Sequence, residues 1–521
     1  MEEESQIIPF YNGKTLFITG ASGFMGKVLL EKLLYTCPKV EKIYVLLRAK
    51  RGKAMESRLE EIFKLPLFSR IRSECPAVFQ KVIPIAGDVS LPELGLSAVN
   101  EKVLIEEVDI VVHGAASLRL EAKLKENINM NTEGTLRVVQ LCRKIKNLQL
   151  LVHISTAFCH CEMDIMEEQT YPPSYDPMDI IQLSHWLPEN VLEKITPDLL
   201  KPHPNSYTFS KRLAEAVVAS YYPEVPSCIL RPSIVIPTWK EPMEGWVDNL
   251  NGPIGILIGG AKGVIRSMHC FIEYSAELIP VDMAINGIMV AIPKFVTNSS
   301  ERPKDIPVVN LTQSDTYVVT WGDMLEKGKE IAFQYPFETM LWYPNGRPYK
   351  VKLFHDISIV LFHWIPAYVI DFLLLIFGQK RFMIRVQTKI QAGLDVLQYF
   401  TTREWKFKNE KLLALRSSLN SFDREKFTLD FEKIDMKQYM TSAILGARHF
   451  LLKEDPNSIP RSRMILKLLY VLDRMATVTF YVLLGWILVS CSDTAAAALD
   501  SAISAAQSLL PFSRNVEQHL T

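Results

Sequence analysis

The order of apolar and polar positions alternates between two periods over the first fifty residues. Lys14–Thr19 (KTLFIT) is a short β-rich apolar run, and a glycine-rich turn follows it. KVLLEKLLYT (27–36) then carries apolar residues at helical spacing, Pro38 helps to stop it, and Ile43–Arg48 (IYVLLR) is a second strand-like run. Strand, glycine turn, helix and strand make the start of a βαβ unit. Further buried-strand candidates are Val82–Ala86, Asp109–His113, Leu150–Ser155 and Ser227–Arg231, with helical text between several of them. The pattern predicts an α/β fold, a Rossmann-type doubly wound parallel sheet covered on both faces.

Beyond residue 231 the pattern changes twice. Residues 232–340 are rich in Pro and Gly with short apolar runs, which suits a substrate-covering part. From 341 to 455 the text turns helical and aromatic, as in DVLQYFTTREWKF. The expected organisation is an N-terminal extension (1–13), a nucleotide-binding domain with its substrate part (14–340), a separate helical domain (341–455) and a tail (456–521). Met475–Ser492 carries no charge over 18 residues, about 27 Å of helix, and predicts a C-terminal membrane-associated helix. Its near flank is basic (Arg461, Arg463, Lys467, Arg474), whereas Asp493 and Asp500 follow it, so the body is expected on the cytosolic side. Endoplasmic reticulum is the favoured membrane, with peroxisome or lipid droplet as alternatives; the final HLT is not the peroxisomal SKL address. A second apolar run, Ile357–Phe377, includes His363, Pro366 and Asp371 and is expected to be buried or to lie in the interface rather than to span.

Composition adds exclusions. Lys+Arg and Asp+Glu both number 58, so no basic surplus argues for a nucleic-acid partner. The eight cysteines show no framework spacing, and MEEESQIIPF lacks the basic start and apolar core of a signal peptide. Both features predict free thiols in a reducing compartment.

Thr19-Gly20-Ala21-Ser22-Gly23-Phe24-Met25-Gly26 stands after a strand and before a helix. There Gly20 can make the tight turn, Gly23 can admit pyrophosphate and Gly26 can let helix pack on strand. A glycine turn without ligand is the alternative. The second strand ends at Arg48 with Lys50 and Arg51 beyond, where an NAD enzyme would carry an acid, so the expected cofactor is NADPH with its 2′-phosphate. Asp88 and Val89, in GDV after the third strand, are candidates for the adenine end.

Tyr207 and Lys211, in YTFSK, are spaced to share a helix face, so that an ammonium can favour a phenolate. By itself this spacing equally describes a surface pair. Ser155 and Thr156 follow a strand end, where either hydroxyl can serve the reacting oxygen or simply cap a helix. Cys159-His160-Cys161 invites a metal or nucleophile reading, but no downstream ligand set or further activating partner is legible, and no metal is expected.

TGxxGFxG, HGAAS (113–117), HIST (153–156), YxxxK and RPS (231–233), together with the long segment WKEPMEGWVDNLNGPIG and IPVDM, resemble the fatty acyl-CoA reductases among the extended short-chain dehydrogenase/reductases. The resemblance runs through most of the chain. It implies reduction of a long-chain acyl-CoA to a primary alcohol with two NADPH at a membrane, and it leaves room for a homodimer. It assigns Tyr207 as proton donor, Lys211 as its modulator and ribose ligand, Thr156 as hydroxyl partner and Asn131 as the asparagine of the relay helix. Ala115, Ala116 and Pro232 join the implied cofactor contacts. Phe158 and Cys159 depart from the relatives' aromatic and small residues, which bears on pocket shape. A membrane-bound hydroxysteroid dehydrogenase and a non-catalytic scaffold of the same fold are the rival readings.

Overall fold

The computed structural model describes residues 4–48, 55–297, 302–314, 316–490, 497 and 500–504. Its centre is a seven-stranded parallel sheet. The strands are β1 (Thr15–Thr19), β2 (Lys42–Leu47), β3 (Val82–Ala86), β4 (Ile110–His113), β5 (Leu150–Ile154), β6 (Ser227–Pro232) and β7 (Val308–Leu311). Their order is 3-2-1-4-5-6-7, so the winding reverses between β1 and β4. Such a switch point leaves a crevice beyond the carboxyl ends of the strands. Register brings Leu46, Thr19, His113 and His153 side by side at that edge. The edge strand β7 falls in the Pro- and Gly-rich stretch and was not anticipated; four buried residues, VVNL, are too few to announce a period.

Helix α1 (Phe24–Thr36) packs with α4 (Val281–Thr297) over one face of the sheet. On the other face lie α2 (Gly134–Cys142) and α3 (Ser206–Ser220). Apolar side chains saturate both layers, as burial of a parallel sheet on two faces requires.

Residues 341–455 do not form a core of their own. Leu412, Leu415, Phe427, Phe431 and Tyr439 share the core of Leu29, Leu33 and Ile285. Lys406–Phe407 pairs with Ile165–Met166, and Arg347–Tyr349 with Ser267–His269. The N-terminal residues are built in as well: the Tyr11 hydroxyl donates to the Met289 carbonyl at 2.8 Å, and Ser5 Oγ to Asp423 at 2.5 Å. Helical text shows that a stretch is helical, not which core it completes.

The last helix, α7 (Ile459–Ser490), follows α5 (Ile365–Ile376) and α6 (Met383–Thr401). Its first half is tied to the body, by Arg463 donating to the Gln334 carbonyl and by a buried carboxylate further along. Asp473, 1% exposed, accepts from Trp342 Nε1 at 2.7 Å and from Asn345 Nδ2 at 3.0 Å, and it pairs with Arg266 at 3.3 Å. Beyond Arg474 its side chains stand out from the body, with Met475, Val478, Tyr481 and Trp486 each more than 60% exposed. Cys491, Ser492 and Asp493 lie outside the described residues. The run Ile357–Phe377 is helical and is not buried: most of its large apolar side chains face outward.

Candidate active site

The glycine turn is dictated by contact. Gly20 has φ +80°, and a Cβ there would sit 2.7 Å from the Ala115 nitrogen. A Cβ on Gly26 would meet the Gly20 carbonyl oxygen at 2.2 Å, so helix and turn touch backbone to backbone. Gly23 starts α1 without any side-chain cap, which leaves first-turn N–H groups of the helix for an anion. Ser22 and Gly23 are exposed, Met25 lines a small cavity with Thr19, Gly20 and Gly114, and Phe24 stacks on Trp246 at 5.3 Å. Lys27 pairs with Asp248, so the WKEPMEGWVDN segment closes over the start of α1. That segment is itself held by Asp282 of IPVDM, whose carboxylate accepts from the Trp239, Lys240 and Glu241 amides.

Thr19 connects the turn to the neighbouring strand. Thr135 Oγ1 donates to the Asn131 carbonyl at 2.6 Å, so His113 Nε2 must carry the hydrogen it shares with Thr135. Burial, reinforced by the Lys211 charge, holds His113 neutral, down to about 3. Its Nδ1 then accepts from Thr19 Oγ1 at 2.7 Å, and Thr19 Oγ1 accepts from the Ala115 amide at 3.2 Å. Asn131 sits on a π-turn (Ile128–Glu133) inside the helix that ends as α2. Its side chain receives Ser117 N at 2.7 Å and donates to the Ser117 carbonyl and to Ser210 Oγ. It thereby braces α3 against the HGAAS loop, where Ala115 and Ala116 lie.

Helix α3 begins at Asn205, whose side chain caps Thr208 N. Tyr207, Lys211 and Glu215 follow at i, i+4 and i+8 on one face. Tyr207 is partly exposed, while Lys211 is buried and donates through Nζ to the Ile154 carbonyl at 2.8 Å, at the end of β5. Burial lowers Lys211 to about 8, against the opposing pull of Glu215 and Cys159. The phenol departs from the expected direction. Burial, with Cys159 close by, holds Tyr207 above its usual range, and the Thr156 hydroxyl offsets part of that. Spacing specifies a shared face; the Ile154 carbonyl, out of sight in the sequence, claims the ammonium.

Thr156 also accepts from the Phe158 amide at 3.3 Å, which turns the chain after β5. Ser155, by contrast, has a buried Oγ without a hydrogen-bond partner. The Thr156 hydroxyl bonds the Tyr207 phenol. Arg48 and Asp88 come together at the far end of the crevice, 3.6 Å apart, with Arg48 exposed. Asp88 additionally accepts from Ser90 N and Ser90 Oγ. Val89 is buried beneath it, Lys50 and Arg51 lie outside the described residues, and Pro232 ends β6.

Sequence reading missed the cluster behind Lys211. Glu215 binds Arg231 bidentately, and Cys159 Sγ lies 3.2 Å from Glu215 Oε1. Cys159, His160 and Glu215 are close enough to share an ion, as are Cys161, Glu162 and His203. However, Glu215 is already neutralised by the buried Arg231, and Arg212 pairs with Glu162, so each group holds a cation of its own. Burial pushes His160 down, but Cys159, Glu162 and Glu215 outweigh it and raise the imidazole to about 11. Only the RPS motif pointed towards Arg231, and nothing local pointed to Glu215.

A parallel sheet of this order, an uncapped glycine-turn helix and a Tyr-Lys helix at the strand ends define a nicotinamide-dependent oxidoreductase of the extended short-chain dehydrogenase/reductase type. Two family models described as male sterility protein match residues 18–288 and 362–454. Fatty acyl-CoA reductase wat of Drosophila melanogaster is 36% identical over 488 residues, covering 94% of each chain. Fatty acyl-CoA reductase 1 of Homo sapiens is 34% identical over 454 residues, covering 87% of this chain and 88% of its own. Among solved structures, the terminal R domain of the myxalamid PKS-NRPS pathway superposes with a TM-score of 0.52 at 18% identity, covering 85% of this chain and 93% of that one, a likeness of fold. The chain belongs to the fatty acyl-CoA reductase family.

Proposed function

We propose that this chain reduces long-chain fatty acyl-CoA to the primary alcohol, consuming two NADPH and releasing coenzyme A, with the aldehyde held between the two reductions. The observation that carries the reading is the Thr156 hydroxyl at the Tyr207 phenol, one helical turn before a Lys211 whose ammonium is held at the end of β5 by the Ile154 carbonyl. NADPH, when bound, supplies the hydride of each round.

The chain's own residues do the rest. Gly20, Gly23 and the first turn of α1 receive the pyrophosphate, and Arg48 receives the 2′-phosphate, with Asp88 and Val89 at the adenine. Ser22, Phe24 and Met25 border the pyrophosphate, and Ala115, Ala116 and Pro232 flank the nicotinamide end. Lys211 serves the ribose and keeps a positive charge near Tyr207. Thr156 and Tyr207 donate to the oxygen of the thioester as negative charge develops on it. Collapse of the tetrahedral species breaks the carbon–sulfur bond, and coenzyme A leaves as the thiolate, which takes its proton from water. In the second round Tyr207 gives its proton to the alkoxide. Asn131 supports this geometry through its brace to Ser210, and Ser155 is the second candidate hydroxyl at the end of β5.

The exposed apolar length of α7 supports attachment to a bilayer, and the basic residues before it support a cytosol-facing body. The test is NADPH oxidation by detergent-solubilised protein with a panel of saturated acyl-CoAs, with products identified by mass spectrometry. Alcohol at about two NADPH per thioester is the expected result, set by the two hydride transfers. Oxidation of steroid alcohols without any acyl-CoA turnover would refute the reading.

A further inference from the structure

The helix between Val351 and Gly378 is inverted relative to a water-facing surface helix. From Ile357 to Phe377 the residues with polar or charged side chains, Ser358, His363 and Asp371, are all buried, and apart from Tyr368 the exposed large side chains are purely aliphatic or phenyl. Ile365, Val369, Phe372, Leu373, Ile376 and Phe377 form the outward face, each at least 46% exposed. His363 and Asp371 find their partners within the body. His363 Nε2 accepts from the Arg266 amide at 2.9 Å, and Nδ1 meets Gln387 at 3.0 Å. Asp371 accepts from the Phe382, Met383 and Ile384 amides and so caps the start of α6. The charge that argued against a membrane span in the sequence is therefore turned away from the exposed face. A contiguous apolar face of this size, rimmed by polar residues, marks an interaction surface.

The rim chooses the partner. The turn and the outward side of α6 present Lys380, Arg381, Arg385 and Lys389, all exposed. One helix thus offers hydrocarbon, and the turn and helix that follow offer two cations each, the arrangement of an element lying in the plane of an anionic lipid surface. Position agrees. Arg266 lies over the Phe362 ring at 4.9 Å and pairs with Asp473, the residue at which α7 leaves the body. Both apolar helices are thus fixed to the same corner of the molecule. We infer that Ile357–Phe377 with the 380–389 basic strip is a second, monotopic membrane contact, which embeds in one leaflet and binds anionic phospholipid headgroups. It rests on the membrane attachment proposed above and would set the body flat against the surface, where a tail alone would let it swing.

The full-length chain, with Cys75 and Cys491 replaced by serine and a nitroxide placed on L373C, K389C or V482C, tests this in vesicles of phosphatidylcholine and phosphatidylserine. Relaxation by oxygen against a water-soluble nickel chelate gives the depth of each label. The expected result is a Leu373 label about 5–10 Å below the headgroups and a Lys389 label in water. A Leu373 label that is water-accessible, or that couples to a label on a second copy, would overturn the inference, the latter in favour of a dimer face. Reversal of all four cations to glutamate is expected to lift the Leu373 label out of the bilayer while the Val482 label stays immersed. Unchanged immersion at Leu373 would overturn the headgroup role. The Val482 label reports the tail alone, and acyl-CoA turnover of the same samples reports the reductase reading, so the failures are separable.

Discussion

Glu215 and Arg231 face each other behind the candidate active site, Nε to Oε1 at 2.9 Å and Nη2 to Oε2 at 2.6 Å, with both side chains nearly inaccessible to water. Glu215 stands one turn beyond Lys211 on α3, and Arg231 stands on β6, so the pair pins α3 to the sheet. Arg231 also donates to the carbonyls of Glu167 and Gln169 and so holds the chain that follows the Thr156 turn.

Glu215→Gln should leave a buried guanidinium without its counter-ion and destabilise the fold by about 3–5 kcal/mol. Denaturant unfolding of the solubilised protein checks this; a midpoint equal to wild type would mean that the pair is not holding the helix.

Tyr207→Phe should keep cofactor affinity and lose at least about 10²-fold in kcat, because it removes the proton and leaves the ring. Fluorescence titration with NADPH alongside steady-state turnover separates the two effects. Undiminished turnover would remove Tyr207 from the mechanism.

Lys211 should shape the alkaline limb of the pH profile. It is charged below about 8 and neutral above, so kcat/KM should fall as pH rises through that value. The stability effect has the opposite sign. A folded-state value below that of a free lysine means that the buried charge costs stability at neutral pH, and this cost fades as pH rises from about 8 to about 10.4. Lys211→Met should abolish both trends, read by initial rates and by thermal unfolding across the same pH range.

Arg48→Ala should raise the KM for NADPH by about 10–100-fold, the worth of one or two charged hydrogen bonds, and leave NADH nearly untouched. Equal losses with the two cofactors would show that Arg48 serves only its contact with Asp88.

Truncation after Arg474 should release the strong, tail-dependent membrane attachment while keeping the Asp473 anchor to Trp342 and Asn345. Truncation before Asp473 should also lower thermal stability, because Arg266 and Trp342 lose a buried partner. Sedimentation with vesicles and unfolding curves of the two truncations distinguish these effects.

Local chemistry determined much of this protein. The strand–glycine–helix start is legible because a tight turn, a close helix and an anion site each demand particular residues within a few positions, and Gly20 and Gly26 meet that demand at backbone contact. Strands β1 to β6 are legible because strands buried on both faces read as continuous apolar runs. The uncharged tail beyond Arg474 is legible from its length and composition. Tertiary structure alone decided the rest. It gave Lys211 to the Ile154 carbonyl, put the Thr156 hydroxyl at Tyr207, set Glu215 against Arg231, joined the 341–455 helices to the main core, and turned Asp371 inward so that an interrupted apolar run became a continuous exposed face. Each of these depends on which distant groups meet, and a buried polar group must find its partner wherever the fold supplies one.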